Sequence, residues 1–102
     1  MIWKPNTTVA AIIEQDGRFL MVEENTTEGV RINQPAGHLD EGETILQGVI
    51  RETLEETAYD FTPTELLGVY HWQRPAKDVT YLRFAFVGKL GTHHPERALD
   101  DG

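Results

Sequence analysis

Four stretches of the chain have the β-branched and aromatic composition that is typical of strands. They are Thr7–Glu14, Arg18–Glu24, Leu66–Gln73 and Thr80–Leu90. The first two flank Asp16-Gly17, a dipeptide that favours tight turns, so we expect them to pair as a β-hairpin. The last two are expected to pair antiparallel, the final one being the longest strand. Polar or proline-containing loops are predicted at Asn25–Gly29 and Asp60–Thr64.

The pattern changes to a helical period from about Thr44 to Thr57. The apolar stripe of this helix is predicted to consist of Ile45, Leu46, Val49, Ile50 and Leu54. Three carboxylates, Glu52, Glu55 and Glu56, are spaced i, i+3 and i+4 and therefore share another surface.

That carboxylate cluster is electrostatically unfavourable without a counter-ion. Like charges at helical spacing cost roughly 0.2–0.5 kcal/mol per pair, and the cluster lies near the helix C-terminus, where the macrodipole disfavours anions. Oxygen ligands without Cys or His favour a hard divalent cation. The pattern therefore predicts a site for Mg²⁺, with Mn²⁺ as the alternative.

In the last strand, Arg83 alternates with aromatic neighbours. Phe84 and Phe86 point to one face and Arg83 to the other, because side chains along a strand alternate. An arginine among apolar residues needs a partner. Either a nearby carboxylate or a substrate phosphate bound in a bidentate manner would serve.

Composition narrows the class of protein. The chain has 102 residues, 39% of them hydrophobic, a net charge of −8 and no cysteine. These values predict one domain, 1–102, without disulfides or thiolate metal sites, and they argue against a nucleic-acid surface. No apolar run approaches the ~20 residues of a membrane span and no signal peptide is apparent, so we expect no membrane partner and a cytoplasmic location.

The segment from Gly37 to Tyr59 resembles the signature box of the Nudix hydrolases. The matching residues are Gly37, Glu43, Arg51, Glu52, Glu55 and Glu56. Three positions depart from the family pattern: Thr53 and Tyr59 replace aliphatic residues, and Ala58 replaces a glycine. Because glycine supplies a left-handed helix end without strain, we expect a slightly altered helix end and an intact site.

The resemblance implies an α+β fold of the α/β/α Nudix type, with a mixed sheet and the box helix at about 44–57. Members of this family continue with a further strand and a long helix that covers the second face of the sheet. These elements are expected to be absent, so the domain is truncated relative to the family. An uncovered apolar face usually implies a partner, so two hypotheses follow: the chain forms a homo-oligomer, or it is a natural truncation with reduced stability.

The resemblance also implies roles for the box residues. The Gly37 carbonyl, Glu52, Glu55 and Glu56 are the expected metal ligands, with Glu55 either a third carboxylate ligand or the general base. Glu43 is expected to pair with Arg51 and so to orient the catalytic carboxylates. In many relatives a loop beyond the box supplies the base or a further ligand; the candidates here are His93, His94, Glu96, Asp100 and Asp101.

Substrate contacts are less determined by sequence. Trp72 and His71 could frame the pocket by stacking on a heterocyclic base, although burial in the core is the alternative. In addition to Arg83, Arg18 and Lys4 are candidates for binding a substrate phosphate. His38 either binds the metal or the substrate or serves only as a hydrogen-bonding residue of the loop.

The predicted function is Mg²⁺-dependent hydrolysis of a nucleoside or pyrimidine di- or triphosphate by attack of water on phosphorus. The wider run NQPAGHLDEGE, with YHW and YLRF, resembles the Nudix phosphatases that act on such compounds. The alternative is a catalytically impaired, truncated Nudix module that binds a phosphorylated ligand or a protein partner.

Overall fold

The computed structural model describes residues 4–27, 29–76 and 79–97. One helix and eight strands occur in these ranges. In chain order they are β1 (Asn6–Ile12), β2 (Glu14–Gln15), β3 (Arg18–Phe19), β4 (Val22–Thr26), β5 (Gly29–Asn33), β6 (Ala36–His38), α1 (Ile45–Thr57), β7 (Tyr59–Gln73) and β8 (Thr80–His93).

Four strands form a mixed sheet in the order β6-β1-β8-β7. β1 is antiparallel to β6 and parallel to β8, and β8 is antiparallel to β7. Two separate two-stranded ladders join β2 to β3 and β4 to β5. The mixed sheet and the antiparallel pairing of the last two strands confirm the predicted arrangement.

The predicted hairpin between Thr7–Glu14 and Arg18–Glu24 is wrong in extent. Asp16 and Gly17 form its turn with φ of 54° and 77°, as hairpin turns of the primed types require. Only β2 and β3, of two residues each, pair around it. β1 cannot pair further with the returning chain because its two edges already bond to β6 and β8.

Both segments that were predicted to be loops contain residues of β-strands. Asp60–Thr64 belongs to β7, which at 15 residues is longer than the 14-residue β8. Pro63 is tolerated because β7 lies at an edge of the sheet and its register shifts between Pro63 and Glu65. In the predicted loop Asn25–Gly29, Asn25 and Thr26 belong to β4 and Gly29 belongs to β5, and the pairing of these two strands extends to Thr26 and Gly29.

The ends of α1 are set by local chemistry. The Thr44 hydroxyl accepts a hydrogen bond from the Gln47 N–H at 3.1 Å, and the Gln47 side chain accepts one from the Thr44 N–H at 2.9 Å. This capping box stabilises the helix by about 1 kcal/mol. Ala58 closes the other end with φ 62° and ψ 21°, a left-handed conformation that costs a non-glycine residue roughly 1–2 kcal/mol. The helix nevertheless ends at the predicted Thr57.

The core lies between α1 and one face of the sheet. Its buried members are Val9, Ala11, Ile13, Val49, Phe61 and Phe86. On α1 the buried residues are Gly48, Val49 and Thr53, whose hydroxyl donates to the Val49 carbonyl at 2.8 Å. The predicted apolar stripe is therefore partly wrong: Leu46 is 50% and Ile50 38% exposed. The sheet covers a narrower arc of the helix than the apolar residues occupy.

No helix in the described ranges is both long enough and apolar enough to traverse a bilayer.

Candidate active site

β6 brings Gly37 directly against the box helix. The strand is held by antiparallel pairing with β1, in which Gly37 lies opposite Val9. A Cβ atom on Gly37 would overlap the carboxyl group of Glu52. Glycine is thus required by the close approach of a carboxylate to the backbone, so that one narrow space holds oxygens from both α1 and β6.

Arg51 is the centre of an ion-pair network on α1. Its guanidinium binds Glu43 in a bidentate manner, with Nε at 2.7 Å and Nη2 at 3.0 Å. Nη1 donates to Glu52 at 2.8 Å and to Glu55 at 3.1 Å, and Nη2 donates to the His38 carbonyl at 3.0 Å. One cation therefore orients three box carboxylates and ties the helix to β6.

The protonation states within this network follow from the same contacts. Hydrogen bonds from Arg51, and then from the Asp40 backbone N–H, hold the pKa of Glu43 below its usual value. The hydrogen bond that Arg51 donates to Glu43 is also the main reason that the pKa of Arg51 is raised above its usual value. The Asp40 carboxylate lies 3.3 Å from Arg51 Nε and is mostly exposed. Arg51 stays charged and Glu43 ionised at any physiological pH.

Glu56 turns away from Arg51 toward β6. Its carboxylate accepts a hydrogen bond from the Ala36 backbone N–H at 3.1 Å. Burial, with smaller contributions from the charges of Glu52 and Glu24, raises the pKa of Glu56 to about 7 against the effect of that hydrogen bond. Glu52 and Glu56 therefore concentrate negative charge that Arg51 offsets only at Glu52.

Glu24 is a part of this environment that sequence reasoning missed. It lies on β4, far from the box in the chain, and only the tertiary fold brings it near Glu56 and into the lining of the cleft beside Gly37. An acidic residue in a polar strand carries no sequence signal of such a position.

In the described parts of the chain, there is no cluster of three or more His, Asp or Glu side chains placed so that together they could bind a metal ion. In this structure Arg51 binds oxygens of both Glu52 and Glu55. The donor set itself fits a hard divalent cation. Glu52 and Glu56 offer only oxygen ligands beside the Gly37 backbone, and their mutual repulsion is relieved by a cation.

A cleft of about 700 Å³ opens on the face of the sheet opposite the core. His38, Thr8, Arg83 and Tyr70 line it, and they occupy one transverse row because Thr8 pairs with both His38 and Arg83, and Arg83 pairs with Tyr70. Gly37 is at its β6 edge. The predicted separation of Arg83 from the phenylalanines of β8 is confirmed, since Phe84 and Phe86 pack in the core.

Arg83 has no ion-pair partner among residues 4–27, 29–76 and 79–97. Trp72 also lines the cleft, where its ring packs against that of Tyr81 at a centroid distance of 5.6 Å. Trp72 is 53% exposed, so it is not a core residue. Tyr81 has the same parity as Arg83 along β8, a signal that could have identified it from sequence.

The remaining candidates lie elsewhere. His71 alternates with Trp72 on β7 and does not line the cleft, and Arg18 lines a separate depression beside the β2–β3 turn.

The candidates beyond the box also lie away from the carboxylates. The ring of His93 stacks on that of Tyr59, with 4.4 Å between the ring centroids. The remaining described candidates of that segment, His94 and Glu96, form a separate cluster with Asp60, in which His94 lies 3.1 Å from Asp60 and 3.8 Å from Glu96. Lys4 is exposed, and Asp100 and Asp101 lie outside the described residues.

Comparison with known proteins identifies this arrangement. Residues 3–101 match the sequence model described as the NUDIX domain. A phosphatase named NudJ from Escherichia coli K12 is 38% identical over 89 residues, which cover 87% of this chain and 58% of that protein. The chain therefore spans less than two thirds of the length of this curated relative.

Solved structures of Nudix proteins have the same fold as this chain. A Nudix hydrolase from Nitrosomonas europaea is 51% identical, with a TM-score of 0.90 over 97% of this chain and 68% of that one. A UDP-X diphosphatase at 22% identity shares the fold, with a TM-score of 0.79 over 96% of this chain and 48% of that one. The α+β Nudix fold and the resemblance of the box are thus confirmed, and the chain belongs to the Nudix family.

Proposed function

We propose that this chain is a metal-dependent hydrolase of nucleoside or pyrimidine di- and triphosphates. The observation that carries the proposal is the position of the Glu52 and Glu56 carboxylates beside Gly37, at the edge of a cleft that is also lined by Arg83, a cation without an ion-pair partner among the residues that the structure describes. A metal-binding anion centre next to an arginine suits a substrate with adjacent phosphates. The relationship to a bacterial phosphatase supports the same reaction class.

In the proposed reaction, a water oxygen forms a bond to phosphorus and the bond from that phosphorus to the bridging oxygen breaks. The water gives its proton to a carboxylate, and the electron pair leaves with the departing phosphate. The products are two phosphorylated compounds, or inorganic phosphate and a shortened substrate when the terminal phosphorus is attacked.

Each box residue has a separate task in this reaction. Glu52, Glu56 and the Gly37 carbonyl would hold Mg²⁺ or Mn²⁺, which when bound offsets the charge that gathers on the phosphoryl oxygens. Glu55 is either a third ligand or the base that accepts the proton from water. Arg51 positions Glu52 and Glu55 through its bonds to both.

In the cleft, Arg83 faces the phosphate chain as a bidentate donor, and Trp72 offers a ring on which the organic group stacks. The side chains of His38 and Thr8 lie between the β6 edge and Arg83 in the same row. They are suited to donate hydrogen bonds to phosphate oxygens.

The test is a phosphate-release assay over nucleoside and pyrimidine di- and triphosphates, with inorganic pyrophosphatase added so that pyrophosphate is also counted. Wild type should release phosphate only when Mg²⁺ or Mn²⁺ is present, and Glu56→Gln should be at background. Glu41→Gln, which changes an exposed acid outside the network, is the matched control. Equal background rates for wild type and Glu56→Gln in Mg²⁺ would show instead an impaired module that only binds its ligand.

A further inference from the structure

The β4–β5 hairpin forms one wall of the cleft. Among the described strands it pairs only with itself, and two residues separate β5 from β6, the strand that carries Gly37. Glu24 and Asn33 both line the cleft. They share one face of the hairpin, because Glu24 lies opposite Arg31 in the ladder and Arg31 is two residues from Asn33 on β5. That face therefore presents Glu24 to the cleft that Gly37 borders.

The carboxylate of Glu24 has no hydrogen-bond or ion-pair partner within residues 4–27, 29–76 and 79–97. The residue is half-buried, and its charge acts on Glu56, where it is one of the causes that raise the pKa. Polar groups removed from solvent are normally hydrogen-bonded. Glu24 therefore offers the cleft a carboxylate that can accept a proton from a molecule bound there.

The carboxylates of the box, in contrast, already have partners. Glu52 and Glu55 accept hydrogen bonds from Arg51, and Glu56 accepts one from the backbone of β6. A carboxylate beside a guanidinium or a bound cation is a weaker proton acceptor, because the positive charge favours its ionised form. Since the described residues contain no group of three acidic or His side chains that could hold an ion, Glu24 is not placed as a third ligand beside Glu52 and Glu56.

We propose that Glu24 is the general base of this site and takes the proton of the water that attacks phosphorus. This inference rests on the proposed hydrolase function and assigns to Glu24, in place of Glu55, the proton transfer that this function requires. As the water oxygen forms its bond to phosphorus, one O–H bond of the water breaks and the proton passes to the Glu24 carboxylate. The bond from phosphorus to the bridging oxygen breaks, and its electron pair leaves with the departing phosphate. Glu24 then returns the proton to solvent through the cleft.

The first test compares kcat with metal affinity in Glu24→Gln, which keeps the shape of the side chain but cannot take the proton. The substrates are the di- and triphosphates of cytidine, uridine, adenosine and guanosine in Mg²⁺, and the one that wild type hydrolyses fastest is used throughout. Because a general base contributes roughly 10²–10⁴-fold, kcat should fall at least about 100-fold. The dissociation constant for Mn²⁺, measured by electron paramagnetic resonance, should change far less than the roughly tenfold or more of an altered metal site.

Glu23→Gln is the matched control. Glu23 precedes Glu24 on β4, is exposed, and points to the other face of the hairpin, where it lies opposite Ile32. This variant should keep the kcat and the Mn²⁺ affinity of wild type. The melting temperatures of both variants should be no lower than that of wild type, which separates a loss of catalysis from a loss of folding.

Chemical rescue separates a base from a residue that only shapes the cleft. Glu24→Ala should be as slow as Glu24→Gln. Sodium formate should then raise the kcat of Glu24→Ala several-fold over sodium chloride at equal ionic strength, because formate fits the vacated space and can take the proton. Formate should accelerate neither Glu24→Gln, which leaves no space for it, nor Glu56→Ala.

Equal kcat of wild type and Glu24→Gln would overturn the proposal and leave the hydrolase function standing. Rescue of Glu55→Ala by formate, with none for Glu24→Ala, would identify Glu55 as the base instead. A loss of Mn²⁺ affinity in Glu24→Gln as large as that in Glu56→Gln would make Glu24 a metal ligand and would likewise refute its role as base. If wild type hydrolyses none of these compounds, the hydrolase function fails and the assignment of its base fails with it.

Discussion

Glu56 accepts a 3.1 Å hydrogen bond from the backbone N–H of Ala36, and this bond joins the box helix to the strand that carries Gly37. The bond favours the ionised carboxylate, yet burial and the charge of Glu52 raise the pKa of Glu56 from 4.5 to about 7. Without a cation, Glu56 is therefore partly protonated at neutral pH in the folded protein, whereas it is ionised in the unfolded chain.

The metal-free protein should lose stability as the pH rises from about 4.5 through 7. Because the folded pKa of Glu56 is above the unfolded one, ionisation weakens the folded state, by at most about 2 kcal/mol after allowance for solvent screening. Glu56→Gln keeps the oxygen that accepts from Ala36 and cannot ionise. Urea unfolding in EDTA at pH 5 and pH 8 should show Glu56→Gln as the more stable protein at pH 8 only. A constant difference between the two proteins at both pH values would contradict this.

Replacing Arg51 by lysine should destabilise the protein by about 2–3 kcal/mol, less than a fully buried pair because the arginine is 25% exposed. Lysine cannot reproduce the bidentate bond to Glu43 or reach Glu52, Glu55 and the His38 carbonyl together. A double-mutant cycle with Glu43→Gln measures the coupling, which should be about 1–3 kcal/mol by urea unfolding. Strictly additive effects of the two changes would show that the bidentate bond contributes little.

Gly37→Ala should impair metal binding more than folding. A methyl group at this position displaces the Glu52 carboxylate, which is the far end of a flexible side chain that is 15% exposed. The melting temperature in EDTA should fall by less than that of Arg51→Lys, whereas the rise produced by saturating Mg²⁺ in wild type should largely disappear. At a hundred times its dissociation constant, a bound ion stabilises the native state by about 2.7 kcal/mol. An undiminished response to Mg²⁺ in Gly37→Ala would exclude Glu52 as a ligand.

The protein should associate with itself through β7. This edge strand exposes Leu66, Leu67 and Val69, each more than half accessible, and its outer backbone edge has no neighbour among the described strands. Unprotected apolar edge strands favour pairing with another chain. Size-exclusion chromatography with light scattering should give a mass of at least twice 11.6 kDa, and Leu66→Lys should give the monomer. A wild-type monomer at every concentration would refute the association.

The sequence predicted the features that depend on residues close together in the chain, and it did not predict those that depend on contacts between distant segments. The box helix and the parity of Arg83 follow from spacings within one element, and both were predicted. The partners of β1 could not be found, because a parallel pairing with β8 joins segments about 75 residues apart and leaves no local signal. The proximity of Glu24 to Glu56 depends on the same tertiary packing.

Errors in the predicted elements have the same origin. Leu46 and Ile50 fit the helical period, but the face on which they lie is not covered by the sheet. Pro63 reads as a loop residue until β7 is known to be an edge strand with irregular register. Burial on one face and position in the sheet are properties of the whole fold, and no periodicity along the chain encodes them.

The central claim is that the box carboxylates hold a divalent cation, and titration with Mn²⁺ followed by electron paramagnetic resonance tests it without any need for turnover. Wild type and Glu41→Gln should bind Mn²⁺ with the same affinity, and Glu52→Gln and Glu56→Gln should each bind it at least about tenfold more weakly, the loss typical of an altered metal site. Equal affinity of all four proteins for Mn²⁺ would contradict the account.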